Sequence, residues 1–361
     1  MTASSFLPMF SLLAQLSRQP DAPLRLWFRT TSHKLRPPQP RPHAPTTRAR
    51  QDAVLAAGVA GPHQCASILT EASPGPQPTI ILGGFVPDAT EAVYLLRGDL
   101  LRRGSLYYFN YPRRGFSLDL VLAQLSDLVA EITLVHRRPP VILAISFGAG
   151  LALEWLRRQP REPALAGLVL VSPVTGVGDL LDPAAAKPTT LLGRVIKPYL
   201  DARADLDGAL VERSRNVFLK MFEAGAQNHE TLRLLLTRGE TLRLRDAVLG
   251  TINAIEPAAA RERVQALRDF APLAAPRPLL AAPVLVLYSE KEGAVLRAGA
   301  PGELEFRRNL AAWFPRGQCL TVSNDAANPV QHASLIFHAR NFRPPIMAFY
   351  RSLRAALRQA A

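Results

Sequence analysis

Apolar residues in this chain come in short, dense runs spaced along its length. Residues 79–82 (Thr-Ile-Ile-Leu), 141–145 (Val-Ile-Leu-Ala-Ile), 165–171 and 282–288 are rich in β-branched residues and leucine. They lack the polar alternation of a half-exposed strand and read as strands covered on both faces. Residues 64–70, 105–110 and 318–322 read as further strands. Between them, residues 89–103, 118–136 and 148–158 repeat apolar positions at helical spacing. The second of these helices ends before Pro139 and Pro140, the third before Pro160. Strands that alternate with helices predict an α/β fold built on a doubly wound, mostly parallel sheet.

The alternation breaks after Ser172. Residues 174–281 carry helical spacing and no strand pattern. Leu210, Val217 and Met221 share one helical face, and Leu232, Leu235, Leu236 and Leu242 suggest a second helix pair. A helical insertion between two strands of a parallel sheet predicts a lid over the sheet's carboxyl edge. Near the other end, residues 33–50 hold prolines at 37, 38, 40, 42 and 45. These exclude a regular helix or a central strand and predict a linker or an exposed loop. The chain therefore divides into a leader and linker (1–52), the first part of a core (53–173), a helical lid insertion (174–281) and the second part of the core (282–361).

The run at 141–145 stops at Ser146, and a cluster of small residues (Gly148, Ala149, Gly150) precedes the next helical pattern. A tight strand-to-helix turn lifts its apex hydroxyl clear of the backbone, which makes Ser146 a candidate nucleophile. Ala144 and Gly148 are small because strand and helix close tightly around such a turn. Acyl chemistry at a serine also needs a base, a carboxylate that orients it, and two donors for the oxyanion. Gly83, Gly84 and Phe85 end an earlier strand, where glycine frees the backbone; the amides of Phe85 and Phe147 are the candidate donors. His332, just past the last strand, is the candidate base. His338 is its rival, but six residues along a helix is about 600°, so the two would face different ways. The acid should follow the penultimate strand. Glu292 sits deeper in that loop than Glu290 and is preferred; Asp179, after the strand before, is a third option. Phe85, Phe116 and Phe147 are expected near the cleft.

In this order, Leu82-Gly-Gly-Phe85, Tyr111-Pro-Arg-Arg-Gly-Phe-Ser117, Ala144-Ile-Ser-Phe-Gly148, Pro283-Val-Leu-Val-Leu-Tyr-Ser-Glu-Lys-Glu292 and Gln331-His-Ala-Ser-Leu335 resemble the α/β-hydrolase superfamily. The likeness is to its serine hydrolases with a helical lid and covers about residues 60–358. It implies that family's sheet order and its chain order of nucleophile, acid and histidine, which Ser146, Glu292 and His332 obey. It also implies an enzyme that cleaves carboxylic esters through an acyl-enzyme, with a small-molecule acyl substrate. The same triad would serve an acyltransferase or a thioesterase, and a non-catalytic scaffold with this fold is the alternative from another class. Three positions depart from the pattern: no histidine precedes Gly83, Ala144 stands where glycine is usual, and Glu292 where aspartate is commoner. Members that open epoxides or remove halogens generally carry aspartate where this chain has Ser146. No cofactor and no metal are expected: no Walker loop or Cys/His metal spacing occurs, and the turn at Gly148 and Gly150 lacks the third glycine of a dinucleotide loop, Leu153 standing there.

Charge alters this picture at one end. Residues 1–50 hold eight basic residues (Arg18, Arg25, Arg29, Lys34, Arg36, Arg41, Arg48, Arg50) against Asp21, which is half of the net +14. The remainder is mildly basic, as an Arg-, Ala- and Pro-rich genome would make it, and no nucleic-acid partner is expected. The leader offers peripheral contact with an anionic membrane surface. Phe6 to Leu16 is apolar but has no basic residue before it, so it is a poor secretory signal and reads as an amphipathic surface-binding or packing segment. No apolar stretch reaches the ~18 residues that span a bilayer. Two cysteines make no disulfide framework. The implied sheet order sets Cys65 and Cys319 on strands at opposite ends, which fits a reduced, cytoplasmic setting.

Overall fold

The computed structural model describes residues 40–182, 184–201, 208–226, 238–273 and 277–359. Its centre is the set of runs expected to be buried on both sides. Eight strands form one sheet: β1 (Arg41–Pro42), β2 (Ser67–Pro76), β3 (Thr79–Leu82), β4 (Gly104–Asn110), β5 (Val141–Ile145), β6 (Gly167–Val171), β7 (Val284–Ser289) and β8 (Gly317–Val322). Their spatial order is β1-β2-β4-β3-β5-β6-β7-β8. β2 runs antiparallel to both its neighbours and the other pairs are parallel. Leu82, Ala144, Leu170 and Val286 pair across four adjacent strands, so the carboxyl ends of β3, β5, β6 and β7 lie level.

Alternate residues of these strands feed two cores. Ile80, Leu82, Ile142, Ala144, Leu168, Leu170, Val284 and Val286 face one side. There they meet α4 (Leu118–His136), α5 (Phe147–Arg158) and α11 (Pro301–Trp313). Ile81, Leu143, Ile145, Val169, Val171, Leu285 and Leu287 face the other. They pack on α2 (Ala89–Ala92), α3 (Arg97–Leu101) and α12 (Ala339–Gln359). Burial on both faces is why these strands are almost wholly apolar, and Thr79, at the start of β3, bonds the Tyr350 hydroxyl at 2.8 Å. Each fully buried aliphatic side chain stabilises the fold by about 1.5–3 kcal/mol.

Among the described residues, those between β6 and β7 hold helices and no strand: α6 (Val177–Leu180), α7 (Leu191–Leu200), α8 (Gly208–Ala226), α9 (Arg238–Ala254) and α10 (Pro257–Asp269). Leu210, Val217 and Met221 lie on α8 as their spacing predicts. Leu242 lies on α9 but is largely exposed, outside the core its spacing suggested. Leu232, Leu235 and Leu236 lie outside the described residues, as does the segment from Phe6 to Leu16 together with Arg18, Arg25, Arg29, Lys34 and Arg36.

Four other expectations need correction. Of the linker or exposed loop expected over residues 33–50, the described part is an exposed loop at 43–48, between β1 and the next helix, and not a free linker. Pro42 sits in the edge strand β1, where a missing amide donor costs nothing. Thr46 and Thr47 donate their amides to Glu131, and Arg50 and Gln51 donate theirs to the buried Asp127. Asp127 thereby caps α1 (Ala49–Ala56), whose own N-cap residue, Arg48, offers no acceptor. Asp127 and Glu131 are four residues apart on α4, so they share one face of it. α1 also crosses the boundary expected at residue 52. Next, residues 89–103 form two short helices, α2 and α3, rather than one. Then, β2 starts at Ser67, so Cys65 lies in the loop ahead of it; Cys65 and Cys319 are both free thiols near opposite ends of the sheet. Finally, residues 332–338 are turns, so His332 and His338 do not share a helix.

Candidate active site

Five side chains collect at the carboxyl ends of neighbouring parallel strands, where open α/β sheets bind ligands. Phe85 follows β3, Ser146 follows β5, Ser172 follows β6, Glu292 follows β7 and His332 follows β8. Ser146 occupies the bend between β5 and α5 with φ +52°. For a residue with a Cβ such backbone costs about 1–3 kcal/mol, and the surroundings hold it in place. Its amide donates to the Val171 carbonyl (2.8 Å), and its carbonyl accepts from Ala149 and Val174 at 3.0 and 3.2 Å. Two glycines make room for the bend. A Cβ on Gly148 would stand 2.3 Å from the Gly83 carbonyl oxygen, and one on Gly150 2.2 Å from that of Val174. Ala144 is fully buried in β5.

His332 Nε2 lies 2.9 Å from Ser146 Oγ. Its Nδ1 is hydrogen-bonded to Glu292 Oε2. The other carboxylate oxygen, Oε1, accepts from Ser172 Oγ at 2.7 Å and from the Ser289 amide at 2.6 Å. Burial acts to raise the Glu292 pKa. The positive charge available on His332, with hydrogen bonds from His332, Ser172 and Ser289, outweighs burial and holds the carboxyl below the usual carboxylate range. Glu292 is thus an anion with every contact favouring the charged form. The expected base, acid and hydroxyl are brought together.

The rivals have other work. Glu290 accepts from the amides of Asn324 and Val330 (2.8 and 2.7 Å) and so shapes the loop that carries His332. Asp179 accepts from the Thr175 and Gly302 amides, both at 2.7 Å, joining α6 to the start of α11; burial raises its pKa. His338 bonds Ser334 through Nδ1 at 2.7 Å and is buried, which lowers its pKa.

Ser172 was not anticipated. Its hydroxyl donates to Glu292 and accepts from the Ala333 amide at 3.1 Å, so it ties the acid to the residue after His332. Ser172 and Ala333 both have positive φ, +44° and +48°. Three of the four positive-φ residues other than glycine among the described residues therefore surround this network. The only signal in the sequence was the place of Ser172 at a strand end, before Pro173.

Phe85 and Phe147 donate their amides to no protein acceptor among the described residues. Phe147 opens α5, whose N-terminus adds a positive dipole end beside Ser146. Ser146 and His332 face a cavity of about 440 Å³. Its walls are Phe85 and Val86 after β3, Leu191 on α7, Phe218 and Met221 on α8, Val248 and Ile252 on α9, and Phe337. Phe116 and Phe147 do not line it. They pack with Tyr111 beneath the bend, ring centroids 5.5–6.2 Å apart.

Solved hydrolases superpose on this structure. An esterase from Thermogutta terrifontis superposes with a TM-score of 0.51 at 18% identity, over 80% of this chain and 94% of that one. The chain has the α/β-hydrolase fold. An epoxide hydrolase from Bacillus megaterium matches with a TM-score of 0.55 at 11% identity, over 80% and 97% of the two chains. A membrane phospholipase A, a bacterial virulence factor, matches with a TM-score of 0.55 at 16% identity over 97% of both. At these identities the likeness is one of fold. No protein-family model matches the sequence, and no curated protein matches it. Among the described residues, no helix is long and apolar enough to cross a membrane.

Proposed function

We propose that the protein is a serine hydrolase that cleaves carboxylic esters of apolar acids through an acyl-enzyme. The observation that carries this reading is one imidazole bonded on one side to Ser146 Oγ and on the other to an anionic, buried carboxylate, at the wall of an apolar cavity. In this reading His332 Nε2 takes the proton as Ser146 Oγ attacks the acyl carbon. Glu292 holds the tautomer with the proton on Nδ1 and stabilises the imidazolium. The amides of Phe85 and Phe147 bind the oxyanion. The ester C–O bond then breaks, and His332 protonates the departing alkoxide. A water, deprotonated by His332, attacks the acyl carbon and returns Ser146 to its hydroxyl form.

Two further observations support an apolar acyl group. The cavity lies within the range of small-molecule sites, and residues of α7, α8 and α9 form one side of it. That arrangement supports reading the insertion, residues 174–281, as a lid. The nucleophile also favours esters over epoxides. A carboxylate that opens an epoxide forms an ester that water can cleave, whereas a serine would form an inert ether. The neighbouring phospholipase is a membrane protein by description. With the basic leader, this supports peripheral contact with an anionic bilayer; deleting residues 1–39 should weaken binding to anionic liposomes and leave hydrolysis of a soluble ester unchanged.

The deciding experiment pairs labelling with turnover. A fluorophosphonate should modify Ser146 in the native protein, and a series of p-nitrophenyl esters should turn over with a preference for longer apolar acyl chains. S146A should abolish both while folding normally. Folded wild-type protein that neither takes the label nor turns over would make it a scaffold. Product in which the acyl group is carried by an alcohol or amine rather than water would make it an acyltransferase.

A further inference from the structure

Arg263, on α10 of the insertion, is buried (2% exposed) and makes no ion pair among the described residues. A guanidinium with no counterion in contact is costly to bury, and burial pushes its pKa down to about 10. The site nevertheless holds it with specific geometry. Nη1 donates to the Phe85 carbonyl at 2.8 Å and Nη2 to the Pro112 carbonyl at 2.9 Å. Its Cζ lies over the Phe85 and Tyr111 rings, 5.6 and 5.5 Å from their centroids. Tyr111 in turn donates its hydroxyl to the Gly83 carbonyl at 3.0 Å.

Three of these contacts fall on residues 83–85: Arg263 holds the carbonyl and the ring of Phe85, and Tyr111 holds the Gly83 carbonyl. Two successive glycines leave that backbone intrinsically soft, yet an oxyanion donor must be held in place before the charge develops. The Phe85 carbonyl is fixed by Arg263. Its ring is fixed by Arg263, by Phe147 at 5.6 Å and by stacking on Phe218 at 5.8 Å. The carbonyl and side chain of Phe85 are thus taken up, and its amide is left without a protein acceptor beside the cavity.

Resting on the serine-hydrolase reading above, we infer that Arg263 is a positioning residue: through its forked bond to the Phe85 and Pro112 carbonyls it orients the Phe85 amide as an oxyanion donor. The insertion therefore sets the alignment of the oxyanion site as well as bordering the cavity. Lysine cannot reproduce the fork, because its single ammonium cannot reach both carbonyls in the same geometry.

The test uses the full chain with R263K and R263M, an apolar p-nitrophenyl ester, and two ketones of equal chain length. A trifluoromethyl ketone forms a tetrahedral oxyanion on Ser146; the methyl ketone reports ground-state binding. Loss of one donor typically costs about 10²–10³ in rate. R263M should lower kcat about 100-fold with KM within threefold. The trifluoromethyl ketone should weaken in parallel, and methyl ketone affinity should hold. R263K should fall between R263M and wild type, and it carries the test if R263M does not fold. Variants that retain kcat and trifluoromethyl ketone affinity within threefold of wild type would overturn the inference. So would equal losses for both ketones, which a general loosening of the cavity would produce. Fluorophosphonate labelling of wild type separates the two levels: an unlabelled wild-type Ser146 refutes the hydrolase reading itself, whereas a labelled wild type with fully active variants refutes only the role of Arg263.

Discussion

Replacing Glu292 by glutamine tests how this site holds its imidazole. The substitution keeps the shape of the side chain and removes its charge. Oε1 now accepts two hydrogen bonds, from Ser172 Oγ and the Ser289 amide. The glutamine carbonyl should keep that side, because turning the NH2 group there would set it against the Ser289 N–H and leave that donor unpaired. A buried unpaired donor costs about 1–3 kcal/mol. The amide NH2 must therefore face His332 Nδ1, which can then only accept. The imidazole shifts its proton to Nε2 and can no longer take one from Ser146. The 1–3 kcal/mol preference alone lowers the productive tautomer roughly 5- to 150-fold, taking about 1.36 kcal/mol per decade. Loss of the charge that stabilises the imidazolium adds to this. The total expected is about 10⁴ in kcat, close to what loss of the orienting carboxylate costs in other serine enzymes, or about 5 kcal/mol in activation free energy. Steady-state hydrolysis of a p-nitrophenyl ester measures it, with circular dichroism as the check on folding. Retention of more than a tenth of the wild-type kcat by folded E292Q would refute the assignment, and a larger loss in E290Q or D179N would move the acid elsewhere.

The Glu292 pKa is lower in the folded state than the ordinary value of 4.5. Its stabilising effect is therefore full above that pH and is lost as pH falls through the lower, folded-state value. Urea unfolding at a series of pH values should show wild type losing stability relative to E292Q below pH 4.5; a constant gap between them would contradict this. S172A should lower the stability by about 1–3 kcal/mol, since it leaves the Ala333 amide without its acceptor and takes one of the two hydrogen bonds from Glu292 Oε1, and reduce kcat with little change in KM; an unchanged kcat would deny Ser172 any part in aligning His332. D127A removes the acceptor of two amides at the start of α1 and should cost about 1–3 kcal/mol, with faster proteolysis around residues 40–56; wild-type resistance would mean that this strap is held by other contacts. G148A should fail to fold or lose all turnover, because its Cβ would meet the Gly83 carbonyl oxygen 2.3 Å away; wild-type activity would show that the bend can relax.

Much of this was legible in the amino-acid sequence. Apolar runs at 79–82, 141–145 and 165–171 mark doubly buried strands, because a sheet covered on both faces has few polar positions to fill. Ser146 between such a strand and a glycine-rich turn, Glu292 after the penultimate strand and His332 after the last one could be picked out because each reads from its own neighbours. Tertiary structure decided what depends on contacts across the chain. Pro42 and its neighbours read as a linker because no local pattern foretells that Asp127 and Glu131, some eighty residues on, accept their amides. Phe116 resembled a cleft residue until packing placed it under the bend. His338 was set aside by counting along a helix that turned out to be turns, and it is its bond to Ser334 and its burial that take it from the site. Ser172 and Arg263 gave no comparable sign. A serine at a strand end and an arginine on an amphipathic helix are ordinary in sequence. Their importance comes from long-range hydrogen bonds to Glu292 and to the Phe85 carbonyl, and those exist only once the sheet has set its strand ends side by side.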